Sequence, residues 1–145
     1  MQIQGDSLFK LIPQRPPMVM IDALLDVSDD SALCTLAISN DNIFCSKEGL
    51  FEEAGLIEHI AQSAAAMVGY EYYKQNQPAP IGFIASVDRL ECFYKPATGS
   101  VIETKITTIQ RVSDIMVVSG VVTERGNKVA QCNMKFYINQ GKGDV

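Results

Sequence analysis

The sequence has no tryptophan and a single histidine, His59, in 145 residues. Its four cysteines, Cys34, Cys45, Cys92 and Cys132, form no closely spaced pair. A Cys/His zinc site would therefore have to gather its ligands from distant parts of the chain, and no metal is expected. Reduced thiols buried in strands are the plain expectation, and they suit the cytoplasm. No apolar run approaches the roughly 18 residues of a membrane span; the longest candidate, Ala61 to Val68, is far shorter. The N-terminal MQIQGDSLFK has no basic stretch leading into an apolar one, so no signal peptide is expected. Neither a phosphate loop nor a dinucleotide fingerprint occurs, and no cofactor is implied. Repeats and low-complexity segments are absent. Positive charge is also short: 12 Lys and Arg against 17 Asp and Glu give a net charge of −5. That balance argues against nucleic acid or anionic lipid as the main partner, while leaving room for a local basic patch that docks an acidic one.

What is present fits one globular domain over residues 1–145, with a core at about 8–138 and a polar tail at 139–145. Ser7 to Ile12 reads as a short helix capped by Asp6 or Ser7 and ended by Pro13. Pro16 and Pro17 impose an extended chain. The apolar run Met18 to Val27 and the alternating Ser31 to Ile38 read as two strands joined at Ser28–Asp30. After an irregular stretch, Ala54 to about Gln75 is predicted as one long helix. No proline interrupts it, and Ile57, Ile60, Ala61, Ala64, Met67 and Val68 follow helical spacing. Its middle is small and apolar, so it should be buried with a sheet close on several sides. Beyond Pro78 and Pro80, Ile81–Phe93, Val101–Val112, Ile115–Thr123 and Lys128–Ile138 read as strands. Their short connections predict an antiparallel meander. One sheet wrapped around one helix gives an α+β architecture, with edge strands that a second copy would pair with.

Four segments, in this order and spacing, resemble one family. Leu11 to Asp22, LIPQRPPMVMID, is similar to a segment written LLPHRxPFLLVDRV. Ile57 to Ala65, IEHIAQSAA, is similar to LIxEAMAQAAA. Gly82 to Phe93, GFIASVDRLECF, resembles a strand that leads into D-x-x-R-F. Pro96 to Ser100, PATGS, resembles the turn P-x-x-P-G-D. These belong to the hot-dog 3-hydroxyacyl-thioester dehydratases, in which a curved antiparallel sheet wraps a long central helix. The variant most similar is the dehydratase-like group of aryl polyene and related pigment pathways, with iEYMAQavAA on the helix and GFLLGxR on the next strand. Two departures stand out. The family's loop G-H-F-P-G falls, by spacing, near Phe44 within Ile43–Lys47, where there is neither histidine nor proline. The histidine of its P-H-R is Gln14 here.

The resemblance implies an acyl thioester on acyl carrier protein or CoA, in fatty-acid or polyene biosynthesis, handled by a dimer. Dehydration needs a base for the proton beside the carbonyl, an acid for the leaving hydroxyl, and donors for the developing enolate. Glu58 is the expected catalytic carboxylate. Gln62, one turn on, shares its face as a substrate contact, and Ala65 and Gly69 extend that face with small side chains. An acid that merely favours the helix dipole is the alternative for Glu58. Gly55 marks a place where a substrate carbonyl would approach backbone, or else simple helix-start packing. Gln14 would orient a water or a carbonyl. His59 points about 100° away from Glu58 around the helix, so it cannot replace the loop histidine on the same protomer. It is either a packed structural residue or one that reaches a partner's site. Cys45 would act as a nucleophile only if its thiolate were stabilised. Arg15, Arg89 and Lys95 would meet a phosphopantetheine arm or an acidic carrier, or else be solvated surface charge. Three functions follow: a dehydratase, working as a homodimer or as a heterodimer with a histidine-bearing hot-dog relative; a thioesterase using one helix carboxylate; and a non-catalytic subunit.

Overall fold

The structure is a computed structural model that describes residues 2–139. The predicted tail lies, apart from Asn139, outside these residues. The chain runs through β1 (Ile3–Gln4), a 3-10 helix (Gly5–Lys10), β2 (Ala23–Val27), β3 (Ser31–Ala37), α1 (Glu53–Lys74), β4 (Ile81–Cys92), β5 (Val101–Val112), β6 (Ile115–Glu124) and β7 (Asn127–Asn139). All strands join one antiparallel sheet in the order β1-β2-β3-β5-β6-β7-β4. It curves around α1, which touches β2, β3, β4, β5 and β6. This is the hot-dog fold.

The alternation read in β5 is real: Ile102, Thr104 and Ile106 are buried while their neighbours face out. β6 and β7 do the same with Met116, Val118 and Val122, and with Ala130, Cys132, Met134, Phe136 and Ile138. At the centre a side chain would be intolerable. A Cβ on Gly120 would lie 2.6 Å from Ile60 Cγ2, so glycine lets the helix settle onto the sheet. The helix is buried nearly all round, as its small apolar middle requires. Among the described residues, no helix is long and apolar enough to cross a membrane.

Three expectations are corrected. The strand predicted from Met18 begins only at Ala23, because Met18 and Met20 bond to side chains of α1 instead of to a strand. The short helix starts at Gly5, whose φ of +64° turns the chain out of β1, and it has no side-chain cap from Asp6 or Ser7. Only β5, β6 and β7 form a meander. β4 instead pairs with β7 at the far edge, because its link to β5 is held by the loop ahead of α1: Phe51 N–H donates to Pro96 O at 2.8 Å and Thr98 N–H to Gly49 O at 2.9 Å. The sheet's two edges therefore differ, with β1 two residues long and β4 twelve.

All four cysteines are free thiols. Cys34, Cys92 and Cys132 lie in strands, but Cys45 lies in the loop before α1. Burial pushes Cys34 up to about 12 and Cys132 up to about 11. Among the described residues, no three His, Cys, Asp or Glu side chains gather closely enough to hold a metal ion.

Candidate active site

The first turns of α1 carry Glu58 to the mouth of a cavity of about 310 Å³. Its walls are otherwise apolar or neutral. Ala61, Ala64, Ala65 and Val68 come from the helix, Gly82, Phe83 and Ile84 from β4, and Met116, Phe136 and Ile138 from β6 and β7. Pro13 and Gln14, from the segment after the 3-10 helix, complete the wall. The small residues read from the sequence are what leave this space. Glu58 is the only ionisable group among the described residues that line it.

Gln62 sets the position of that carboxylate. Its Nε2 donates to Glu58 Oε1 at 2.9 Å and to Met18 O at 2.9 Å, while Met20 N–H donates to its Oε1 at 2.6 Å. Both amide hydrogens are thus engaged, and Gln62 is fully buried and absent from the cavity wall. The residue expected to touch substrate is instead a clamp between α1, Glu58 and the segment Met18–Met20. Gln14 does line the cavity. Its Oε1 is buried without a partner among the described residues, an atom that a bound polar group would satisfy.

Gly55 is a packing glycine. A Cβ there would lie 2.6 Å from Phe51 Cζ and 2.7 Å from Phe44 Cβ, and its N–H already donates to Glu52 O at 2.9 Å. It is buried and does not reach the cavity, so no substrate carbonyl approaches it here. Phe44, near which spacing puts the family's loop histidine, therefore serves to seat the start of α1. Gly69 does not leave room either: a Cβ there would run into the Leu11 carbonyl, so the chain itself fills that notch.

His59 faces the core, away from the cavity. It is fully buried, and its Nδ1 lies 2.7 Å from Met20 O. A carbonyl only accepts, so Nδ1 carries the proton and Nε2 is the atom left without a partner. Burial holds its pKa down to about 4, the bond to Met20 offsetting only part of that. His59 is a neutral structural residue and cannot reach a partner's site from inside the core. Cys45 is no better placed for nucleophilic attack in this cavity. It does not line the cavity, and burial, then the Glu52 carboxylate, push its thiol above the ordinary value.

The three basic residues are not brought together, and none lines the cavity. Arg15 covers carbonyls at the end of the 3-10 helix, donating to Ile12 O at 2.8 Å, Gln14 O at 2.7 Å and Phe9 O at 3.0 Å. Lys95 pairs with Glu52 at 2.8 Å on the surface. Arg89 sits at a bulge of β4 with φ of +56°. The sequence reading missed the strand residues of the wall. Phe136 and Ile138 were signalled by the alternation of β7, but what they face is fixed only when β4 closes beside them.

No curated protein sequence matches this chain. Solved structures do. The dehydratase heterocomplex ApeI:P from Xenorhabdus doucetiae superposes with a TM-score of 0.85 at 18% identity over 92% of each chain. A hypothetical thioesterase with coenzyme A from Streptococcus pneumoniae TIGR4 gives 0.66 at 12% identity, over 80% of this chain and 84% of that one. smu.793 from Streptococcus mutans UA159, bound to acetyl CoA, gives 0.66 at 8% identity, over 80% and 86%. The sequence pattern of the ApeP dehydratases matches residues 7–144, nearly the whole chain, and the chain belongs to the ApeP-like dehydratase family.

Proposed function

We propose that this chain is one subunit of a cytoplasmic hot-dog dehydratase that acts on, or holds, a 3-hydroxyacyl or polyenoyl group while it remains thioesterified to acyl carrier protein, in fatty-acid or polyene biosynthesis. The observation that carries the reading is the lone carboxylate of Glu58 in an otherwise apolar or neutral cavity. The acyl chain lies along Ala61, Ala65 and Val68, and the thioester sits near Glu58 and Gln14. Loss of water moves the C2 proton to a base and delivers a proton to the departing 3-hydroxyl, so two proton-handling groups serve it best. Glu58 is one. The second comes from a related hot-dog subunit bearing a histidine. It docks along β4, the long sheet edge whose Phe83 and Ile84 are exposed at the cavity. The similar ApeI:P structure is itself a dehydratase heterocomplex, which supports this assembly.

The test is hydration of a short 2-enoyl thioester by the chain alone and by the assembly purified from its native host. The assembly is expected to turn over, and Glu58→Ala to cost at least about 10²-fold in kcat/KM. Turnover unchanged by Glu58→Ala would overturn the reading.

One observation favours a second reading. A single carboxylate in an apolar cavity suits a hydrolase that activates water, and the similar S. pneumoniae structure is described as a hypothetical thioesterase. Thiol release from acyl-CoA, lost in Glu58→Ala, would select it.

A further inference from the structure

Two cavities stand back to back. The one with Glu58 runs along α1 to Val68. Behind it, between the last turns of α1, the β2–β3 turn and the end of β5, lies a second of about 570 Å³. Its walls differ in kind, carrying Asp29, Lys74 and the ion pair in which Arg111 Nη1 donates to Glu71 Oε2 at 3.0 Å. Val68 and Met116 line both cavities and are themselves buried. They are the partition. Met116 is its pliable half, an unbranched side chain at the start of β6, in register with Phe136.

The partition fixes a length. Glu58 and Val68 are ten residues apart on α1, or about 15 Å at 1.5 Å per residue. An extended chain advances about 1.2 Å per bond, so this run takes roughly a dozen bonds. At about 310 Å³ the cavity is of a size that takes a small ligand chain.

We propose that Met116, with Val68, is the specificity-determining stop of the acyl site, which accepts apolar chains of about ten to twelve carbons. The inference rests on the acyl-thioester reading above. Each methylene buried before the stop tightens binding roughly fourfold. A longer alkyl chain would have to displace Met116 and place its end beside Arg111 and Glu71, where burial of apolar surface brings no gain.

The experiment measures binding of saturated acyl thioethers of pantetheine, from about 6 to 16 carbons, to the protein in the assembly in which it purifies. Affinity is expected to climb to about twelve carbons and then stop climbing. Met116→Ala joins the two cavities and should move the optimum out by about two to four carbons, while Val68→Phe should move it inward. One variant opens space and the other fills it, so a failure to fold in either leaves the other as the test. Short chains that bind with the same optimum in both variants would overturn the stop alone. No binding at any length by the unaltered protein would overturn the acyl reading, and the stop with it.

Discussion

His59 should make this protein acid-sensitive. Its folded pKa is about 4, against an ordinary value of 6.5, because a charged imidazole would have no water around it in the core. Below 6.5 the unfolded chain takes up a proton that the folded chain refuses until about pH 4. Stability is therefore fully present above pH 6.5 and falls as pH drops through that window. At about 1.4 kcal/mol per unit, the loss is about 2 kcal/mol by pH 5 and about 3 kcal/mol by pH 4. His59→Gln keeps a donor for Met20 O but removes the titration. Urea unfolding of both proteins at several values between about pH 7.5 and 5 isolates the effect, since the carboxylates titrate alike in the two and cancel. The unaltered protein should lose about 2 kcal/mol more than the variant across that range. Parallel profiles would refute the reasoning. As the chain has only this histidine, its imidazole C2 proton can be followed by NMR without ambiguity, and it should hold its neutral position to about pH 5.

Gln62→Leu leaves the buried Met20 N–H without an acceptor and should cost about 1–3 kcal/mol in urea unfolding, with Glu58 losing its donor as well. A loss well under about 0.5 kcal/mol would mean that the clamp is not real. Gly69→Ala should destabilise by roughly 1–3 kcal/mol although alanine is the better helix former, because the added Cβ meets the Leu11 carbonyl; a rise in Tm would contradict that packing.

The long helix and the strands after it were legible because their periods repeat over many residues. α1 was read as Ala54 to about Gln75 and spans Glu53–Lys74, and β5 was read at its observed ends. Met18–Asp22 was misread because apolarity does not say whether backbone groups will find a strand or a side chain; here Gln62 and His59 claim Met18 and Met20. The placement of β4 beside β7 was hidden for a related reason. The link at Pro96–Gly99 is short enough for a hairpin, but its backbone bonds to the loop at Gly49–Phe51 instead. In the site, Glu58 and Gln14 both line the cavity. Gly55, Gly69 and Gln62 share a helix with Glu58, but what surrounds each was set by Phe44, Leu11 and Met18–Met20, far away in sequence. Arg15 also serves the backbone, and its residue type alone does not show that three nearby carbonyls converge on it.

The inequality of the two sheet edges bears on assembly size. β4, paired with β7 on one side only, offers a free edge twelve residues long, enough to template another strand, whereas β1 offers two and is a poor template. Sheet extension can therefore happen once. When β4 is joined to the matching edge of another subunit, the composite sheet is bounded on both sides by stubs, and its growth ends at two. The shortness of one terminal strand, rather than charge or an obstructing loop, works against an open-ended filament built by strand addition.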